Sequence, residues 1–310
     1  MGRNIHAESS NLWMQHMRNG AFEEAWKCSD ADLKARAGKP CWHLPRHFQY
    51  IWNSESLEGK RVLIRCYHGL GDTVQFIRFV PFVKAIAKEV IVWAQPKLIP
   101  LLKTMQAIDL LFPLHNGSPE VEYDIDVEIM ELAHIFRTTL STIPSTIPYL
   151  HVEPMLLLPD NQEFKVGIVW KAGDWDERRN IPFSYLQPLA DIQNIQVIIL
   201  QDDPAAAGWK QEFGINAADL NFYDQARVIR GLNLMISIDS MPAHLAGALG
   251  VPVWNLLHAH ADWRWMNERD DSPWYPTMRL FRQQQEGNWE NVIKTVAAEL
   301  KKLTSNYFKH

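Results

Sequence analysis

"RVLIRCYHGLGDTVQFIRFVPFV", Arg61 to Val83, is the stretch on which the fold turns. Val62, Leu63 and Ile64 form a continuous apolar run of the kind that makes a strand buried on both faces. Two glycines follow. From Asp72 to about Ala87, Phe76, Phe79, Val80 and Val83 then recur at helical spacing. Strand, glycine turn and helix in this order open a βαβ unit, and the alternation continues. "EVIVWA" (89–94) reads as a second strand and "KLIPLLKTM" (97–105) as a second helix. "IDLLFPL" (108–114) and "YDIDVEIM" (123–130) are shorter strand candidates.

"STIPSTIPYLHVEP" (141–154) carries Pro144, Pro148 and Pro154 and reads as a semi-rigid linker. Beyond it the pattern restarts. "KVGIVW", "IQVIIL", "LMISI" and "VPVWNLL" are strands, alternating with helices at "PFSYLQPLADI", "DQARVIRGL" and "MPAHLAGALG". An amphipathic helix, "NWENVIKTVAAELKKL", closes the chain. Two such arrays predict an α/β protein of two Rossmann-like domains with parallel sheets facing across a cleft. The expected division is 1–55 for an N-terminal helical segment and connector, 56–155 for the first Rossmann-like domain and 156–310 for the second. Within 1–55, residues 9–37 have helical character with Gly20 between two halves. The aromatic connector "GKPCWHLPRHFQYIW" (38–52) is expected to anchor itself by its rings. "GAFEEAW" resembles the turn and second helix of a tetratricopeptide unit, and one such unit must pack on something else.

Bulk properties narrow the function. With 310 residues, 47% hydrophobic and 22% charged, the chain is an ordinary globular one. Its net charge of −5 and the lack of a basic block argue against a nucleic-acid or anionic-membrane surface. Cys28, Cys41 and Cys66 form no CxxC pair and read as free thiols in a reducing compartment. No apolar run approaches the roughly 20 residues of a membrane span, and the N-terminus lacks a signal-peptide core, so a cytoplasmic protein is expected.

The glycine turn itself invites a phosphate-binding reading, which its details oppose. A dinucleotide fingerprint needs a third glycine where Val74 stands, and a Walker loop needs Gly-Lys-Ser/Thr. Gly69 and Gly71 then serve positive φ and close backbone approach, Thr73 supports the loop, and Asp72 is expected at the N-cap position. Asp72 is either a simple cap or a carboxylate held at the cleft rim.

A second turn, "SIDSMPAHLAGALGVP" (237–252), gathers helix-start signals at Ser240 and Pro242 and a stop at Gly250. A positive helix end beside His244 makes an anion site, and the competing reading is a well-capped helix with a buried histidine. A third segment, "WKAGDWDERRNIP" (170–182), offers Lys171, Arg178 and Arg179 as a diphosphate clamp, against the alternative of a solvated charged loop. The DxD pairs Asp124/Asp126 and Asp174/Asp176 lack further ligands, and no metal is expected. The tryptophans of "DWRWMNERDDSPWY" (262–275) are expected to pack a long loop beneath the last helix, against the alternative of stacking on a base or sugar, with Asp262, Arg264 and Asp271 as an ion-pair network.

Taken together, "GLGDTVQFIRFVPFV", "VGIVWKAG…RRNIPFSYL" and "SIDSMPAHLAGALGVPVWNLL…DWRW…DSPWYPTMRLFRQ" resemble the glycosyltransferase domain found behind tetratricopeptide repeats in bacteria. That domain is similar to the ADP-heptose:lipopolysaccharide heptosyltransferases, of GT-B fold. The resemblance covers roughly residues 40–300. It implies a metal-independent, inverting glycosyltransferase that needs no cofactor beyond its nucleotide-diphosphate-sugar donor. The second domain would hold the donor and the first the acceptor, whether protein, saccharide or lipid-linked saccharide. On this resemblance Asp72, after Gly71, falls on the general base. Asp239, Ser240, Met241 and His244 fall on the donor motif, Met241 replacing its glycine. Arg179, or Arg178 one residue off, falls on the basic donor-loop position. A sugar-nucleotide epimerase and a non-catalytic binding or interaction module are the alternatives.

Overall fold

The structure, a computed structural model, describes residues 11–159, 163–173 and 176–308. Two compact units emerge. Unit 1 takes the chain up to Ser145 together with Asp262–Glu268, and unit 2 takes Thr146–Ala261 and the chain from Arg269 onward. Among the described residues no helix is long and apolar enough to cross a membrane.

Unit 1 is built on four parallel strands, β1 (Arg61–Arg65), β2 (Glu89–Ala94), β3 (Leu110–Pro113) and β4 (Ile125–Glu128), in the order β3-β2-β1-β4. Val62, Leu63, Ile64 and Val90–Val92 are completely buried, as a parallel sheet covered on both faces requires. The helix after β1 is interrupted. Helix α3 (Leu70–Phe76) gives way to a 3₁₀ turn at Ile77–Phe79 before α4 (Val80–Ile86) begins. Pro81 sits in the first turn of α4, where its missing N–H is harmless, but it cannot continue α3. Further along are α5 (Ile99–Leu102), opened by a 3₁₀ turn at Pro96–Leu98, and α6 (Glu131–Ile135).

Residues 11–18 are helical (α1) and α2 spans Phe22–Arg36, with Gly20 at φ +72 between them. Residues 9 and 10 of the expected helix lie outside the described residues. The pair finds its packing partner at α6. Trp26 stacks on His134 and donates from Nε1 to Thr138 O at 2.6 Å, while Asp30 binds both His134 and Arg137. The connector departs from expectation. Trp42, Phe48 and Tyr50 are exposed rather than buried, and arginines hold the segment, Arg65 lying over the Trp42 ring and Arg36 over the Tyr50 ring. Arg46 donates to His115 O and Gly117 O and lies over the Tyr67 and Trp93 rings. Guanidinium groups donate and stack at once, so they tie down a surface segment that cannot bury its rings.

Unit 2 carries six parallel strands, β5 (Phe164–Val169), β6 (Ile195–Ile199), β7 (Ile215–Asn216), β8 (Leu234–Ile238), β9 (Val253–Leu257) and β10 (Met278–Arg282). Their order is β10-β9-β8-β5-β6-β7. Starting from β5, the chain builds outward through β6 and β7, then returns to the other side of β5 for β8, β9 and β10. This is the doubly wound dinucleotide-domain order. Helices α7 (Gln187–Ala190), α8 (Phe222–Arg230), α9 (Met241–Ala248) and α10 (Trp289–Tyr307) accompany it. Gly167, inside β5, has a packing reason. A Cβ there would lie 2.5 Å from Leu232 Cδ1 and 2.8 Å from Met235 Sδ, so only glycine lets these side chains close over the strand.

The tryptophan-rich stretch divides between the units. Trp263 and Trp265 are buried in unit 1, where Trp263 meets Trp13 and Phe76, whereas Trp274 and Tyr275 are buried in unit 2. Packing beneath the last helix does not describe the first pair. The expected ion-pair network divides likewise: Arg264 binds Asp262, but Asp271 binds Arg269.

Candidate functional site

Each sheet has one point where the chain reverses its direction of growth, and ligands of open α/β sheets bind at the carboxyl ends of the strands flanking it. In unit 1 that point lies between β1 and β4, and in unit 2 between β5 and β8. Most of the residues singled out by sequence fall on the loops at these two places.

In unit 1 the loop after β1 is Cys66–Gly69. Asp72 is the third residue of α3, and Gly69 is the N-cap. The carboxylate reaches back: Asp72 Oδ2 accepts from Gly69 N at 2.9 Å, one half of a capping box. Asp72 thus caps from inside the first turn. Neither Gly69 nor Gly71 has a positive φ. A Cβ on Gly69 would stand 3.1 Å from Asp72 Oδ2, so glycine there makes room for the carboxylate. Thr73, fully buried, donates to Gln95 Oε1 at 3.0 Å, and Gln95 Nε2 donates to His68 O at 2.7 Å, fastening the turn to the end of β2.

The other oxygen of Asp72 is held by a residue far away in sequence. Arg264 Nη2 donates to Asp72 Oδ1 at 2.5 Å, Nε donates to Gln75 Oε1 at 2.6 Å, and Nη1 donates to Asp262 Oδ1 at 2.9 Å. The guanidinium is buried and lies 4.7 Å from the Trp263 ring centroid. Sequence reasoning placed Arg264 in an ion-pair network without linking it to Asp72. A partner 192 residues away leaves no local signal.

Two further groups belong to this place. His68, before the glycine turn, has Nδ1 2.9 Å from Oε1 of Glu128, the last residue of β4. The Glu128 side chain is almost fully buried, and its other oxygen accepts from Met130 N at 2.7 Å. Burial pulls the imidazole toward the neutral form, yet the close approach and charge of Glu128, with Asp72 nearby, outweigh it and raise the His68 pKa above its ordinary value.

In unit 2 the loop after β5 is bound to both neighbours. Trp170 N and Lys171 N donate to Gln201 Oε1 at 3.1 and 2.8 Å, tying it to the end of β6. Arg179 Nη1 donates to Asp239 O at 2.9 Å, and its Nη2 and Nε donate to Gly173 O and Asp176 O. Buried Arg179 therefore stitches the β5 loop to the end of β8 across the reversal point. Arg178 is exposed and chelates Asp176 at 2.9 and 2.8 Å, which holds that carboxyl down at about 2. Asp174 lies outside the described residues. The other DxD pair is occupied by strand arginines, Asp124 by Arg61 and Asp126 by Arg65. The Lys171 side chain is exposed.

After β8, Asp239 leads to Ser240, the N-cap of α9, whose hydroxyl meets Ser237 Oγ at 3.0 Å and makes no side-chain cap bond to the helix. Met241 opens the helix and is partly exposed. His244 is buried, with Nδ1 2.9 Å from Tyr275 Oη and Nε2 4.0 Å from Asp239 Oδ1. At its far end α9 closes by a Schellman motif. Gly250, at φ +76, donates to Gly247 O, and Val251 N donates to Ala246 O. Gly247 brings Tyr275 against the helix, because a Cβ there would fall 2.5 Å from the ring. Gly247→Ala should force Tyr275 off His244 and cost about 1–3 kcal/mol. The expected drop in thermal midpoint is about 2–4 °C per kcal/mol.

The loop beyond β6, not singled out from sequence, encloses a groove of about 690 Å³ whose lining includes Asp202, Asp203, Trp209, Lys210 and Asp219.

The fold has counterparts among solved structures. A glycosyl transferase of family 9 from Veillonella parvula matches with a TM-score of 0.58, covering 83% of this chain and 99% of that one at 14% identity. The E. coli ADP-heptose lipopolysaccharide heptosyltransferase II matches with a TM-score of 0.54, covering 79% and 99% at 16% identity. The chain has the fold of these glycosyltransferases. In sequence it is 24% identical to protein FlbA of Caulobacter vibrioides over 93% of its length, and it spans about half (54%) of that relative. No family profile matches the chain.

Proposed function

We propose that the protein is a glycosyltransferase that moves a sugar from a nucleoside-diphosphate sugar to an acceptor hydroxyl. The reading rests on one observation: each sheet's reversal point carries the residues one half of such a reaction needs. In unit 2, Lys171 brings positive charge to the loop after β5, where Arg178 would have to exchange Asp176 for a phosphate, and α9 presents its positive end after β8. Together they suit a diphosphate. Arg179 and His244 act one step back, Arg179 by holding the loop to β8 and His244 by linking α9 to Tyr275. Asp202 and Asp203 follow the second strand of the unit, where doubly wound domains offer an acid to a ribose.

In unit 1, Asp72 is the general base. It accepts the acceptor's proton as the new bond to the anomeric carbon forms on the face opposite the leaving diphosphate, so the transfer inverts configuration. Charge on the departing diphosphate is stabilised by the α9 end and the basic loop rather than by a metal. Transfer needs both substrates in one place, so the proposal includes the cleft expected from the twin-domain sequence pattern.

The name of heptosyltransferase II makes ADP the first nucleotide to try. Thermal unfolding with ADP, GDP, UDP and CDP is the test. Stabilisation by one diphosphate, about 2.7 kcal/mol at a hundredfold excess over Kd, is the expected result. A midpoint unmoved by all four would overturn the donor site.

A further inference from the structure

Asp72 has both oxygens engaged, one by Gly69 N and one by Arg264. It can orient a hydroxyl, but the structure also supplies a better resting place for the proton. His68 is bonded to Gly69, the residue whose N–H holds Asp72, so imidazole and carboxylate share one turn. Nδ1 of His68 lies 2.9 Å from Oε1 of the buried Glu128, within ion-pair reach but outside hydrogen-bond alignment, and Nε2 has no partner among the described residues. Glu128 is fixed at the end of β4 by the Met130 and Tyr67 backbone N–H groups. The pair therefore spans the β1–β4 reversal point, where the unit's ligand site is expected.

We propose that His68, oriented by Glu128, is the terminal proton acceptor of the transfer. The inference rests on the transferase reading above. The acceptor oxygen bonds to the anomeric carbon, and the bond from that carbon to the diphosphate oxygen breaks with its electron pair leaving on the diphosphate. The hydroxyl proton passes to Asp72 and on to Nε2 of His68. An imidazolium results, balanced by Glu128, while Asp72 returns to the carboxylate that Arg264 holds. A carboxylate behind an imidazole fixes its tautomer and stabilises the charged ring, which is the logic of a nucleophile-activating dyad.

The charged groups around His68 are Glu128 and Asp72, which favour its protonation, and Arg264, which opposes it. The balance raises the pKa. The unprotonated ring is the active form, so the rate should climb with pH along a limb lying above the ordinary histidine value of about 6.5.

The test follows ADP release from ADP-heptose by the full chain between pH 5 and 9, with water standing in for the acceptor. Histidine NMR of the free protein runs in parallel. His68→Gln should lower the rate by about 10²–10⁴-fold and abolish the limb, with the Kd for ADP unchanged. Glu128→Gln should keep the limb but move it to lower pH, and the His68 resonance should titrate lower by the same amount. A merely structural His68 would not move the limb. His68→Gln within twofold of the wild-type rate, with the same profile, overturns this inference and leaves the transferase reading standing. A wild-type chain whose midpoint is unmoved by ADP, GDP, UDP and CDP, and which releases no ADP at any pH, overturns both.

Discussion

Asp72→Asn should lower the transfer rate by about 10²–10⁴-fold, equivalent to roughly 3–5 kcal/mol of barrier, while ADP binds as before. The amide keeps the shape of the carboxylate and can still accept from Gly69 N through its oxygen, but its NH2 then faces the Arg264 guanidinium, so the variant also loses the charge pair and is read beside its thermal midpoint. It cannot take a proton from an acceptor hydroxyl. The substitution thus separates chemistry from capping better than alanine would, because alanine also removes the N-terminal tie of α3. Single-turnover kinetics beside ADP titration checks it. Full activity with intact ADP binding would remove Asp72 from the reaction.

Arg264→Ala should be the more damaging change to the fold. Three hydrogen bonds are lost at once, to Asp72, Gln75 and Asp262, and two carboxylates are left without their cation. Removing one member of a buried pair costs about 3–5 kcal/mol. Asp72 is partly open to water, so roughly 3 kcal/mol is expected here. Activity should fall as well, because Asp72 loses one of the two bonds that aim it. Lysine would restore the charge but not the fork: one ammonium cannot serve three acceptors set around a planar group. Arg264→Lys should therefore recover part of the stability and little of the rate. Chemical denaturation and kcat together test this, and an alanine variant as stable as the wild type would refute the positioning role.

Much of this was legible in the chain. The strands of both sheets announce themselves by short apolar runs, and the glycine turn after β1 is marked by punctuation that only a strand-to-helix turn needs. The Pro-rich stretch near 144–154 and the helix-start signals at Ser240 and Pro242 were equally plain. What escaped was of two kinds. Some was too short to carry a period: β7 is two residues long, and β10 follows a Pro- and Asp-rich loop that masks it. The rest was distant partnership. His68 with Glu128 and Asp72 with Arg264 are separated by 60 and 192 residues. Their meeting depends on which strands lie side by side, and no local spacing records that. Asp72 itself was placed three residues early, at the N-cap rather than N3, because an acid that reaches back to its N-cap looks, in sequence, like the cap.

The seven residues Asp262–Glu268 lie between two strands of unit 2, yet they are part of unit 1. Trp263 and Trp265 complete its core, and Arg264 completes the setting of Asp72. The chain therefore passes from one unit to the other three times. A protein cut at the proline linker would yield an N-terminal half whose base is present and whose holder is missing. On the ribosome the same order applies. The first unit to be synthesised waits for residues made more than a hundred positions after its own last strand, so the proposed catalytic carboxylate is set only when most of the second unit has already been made.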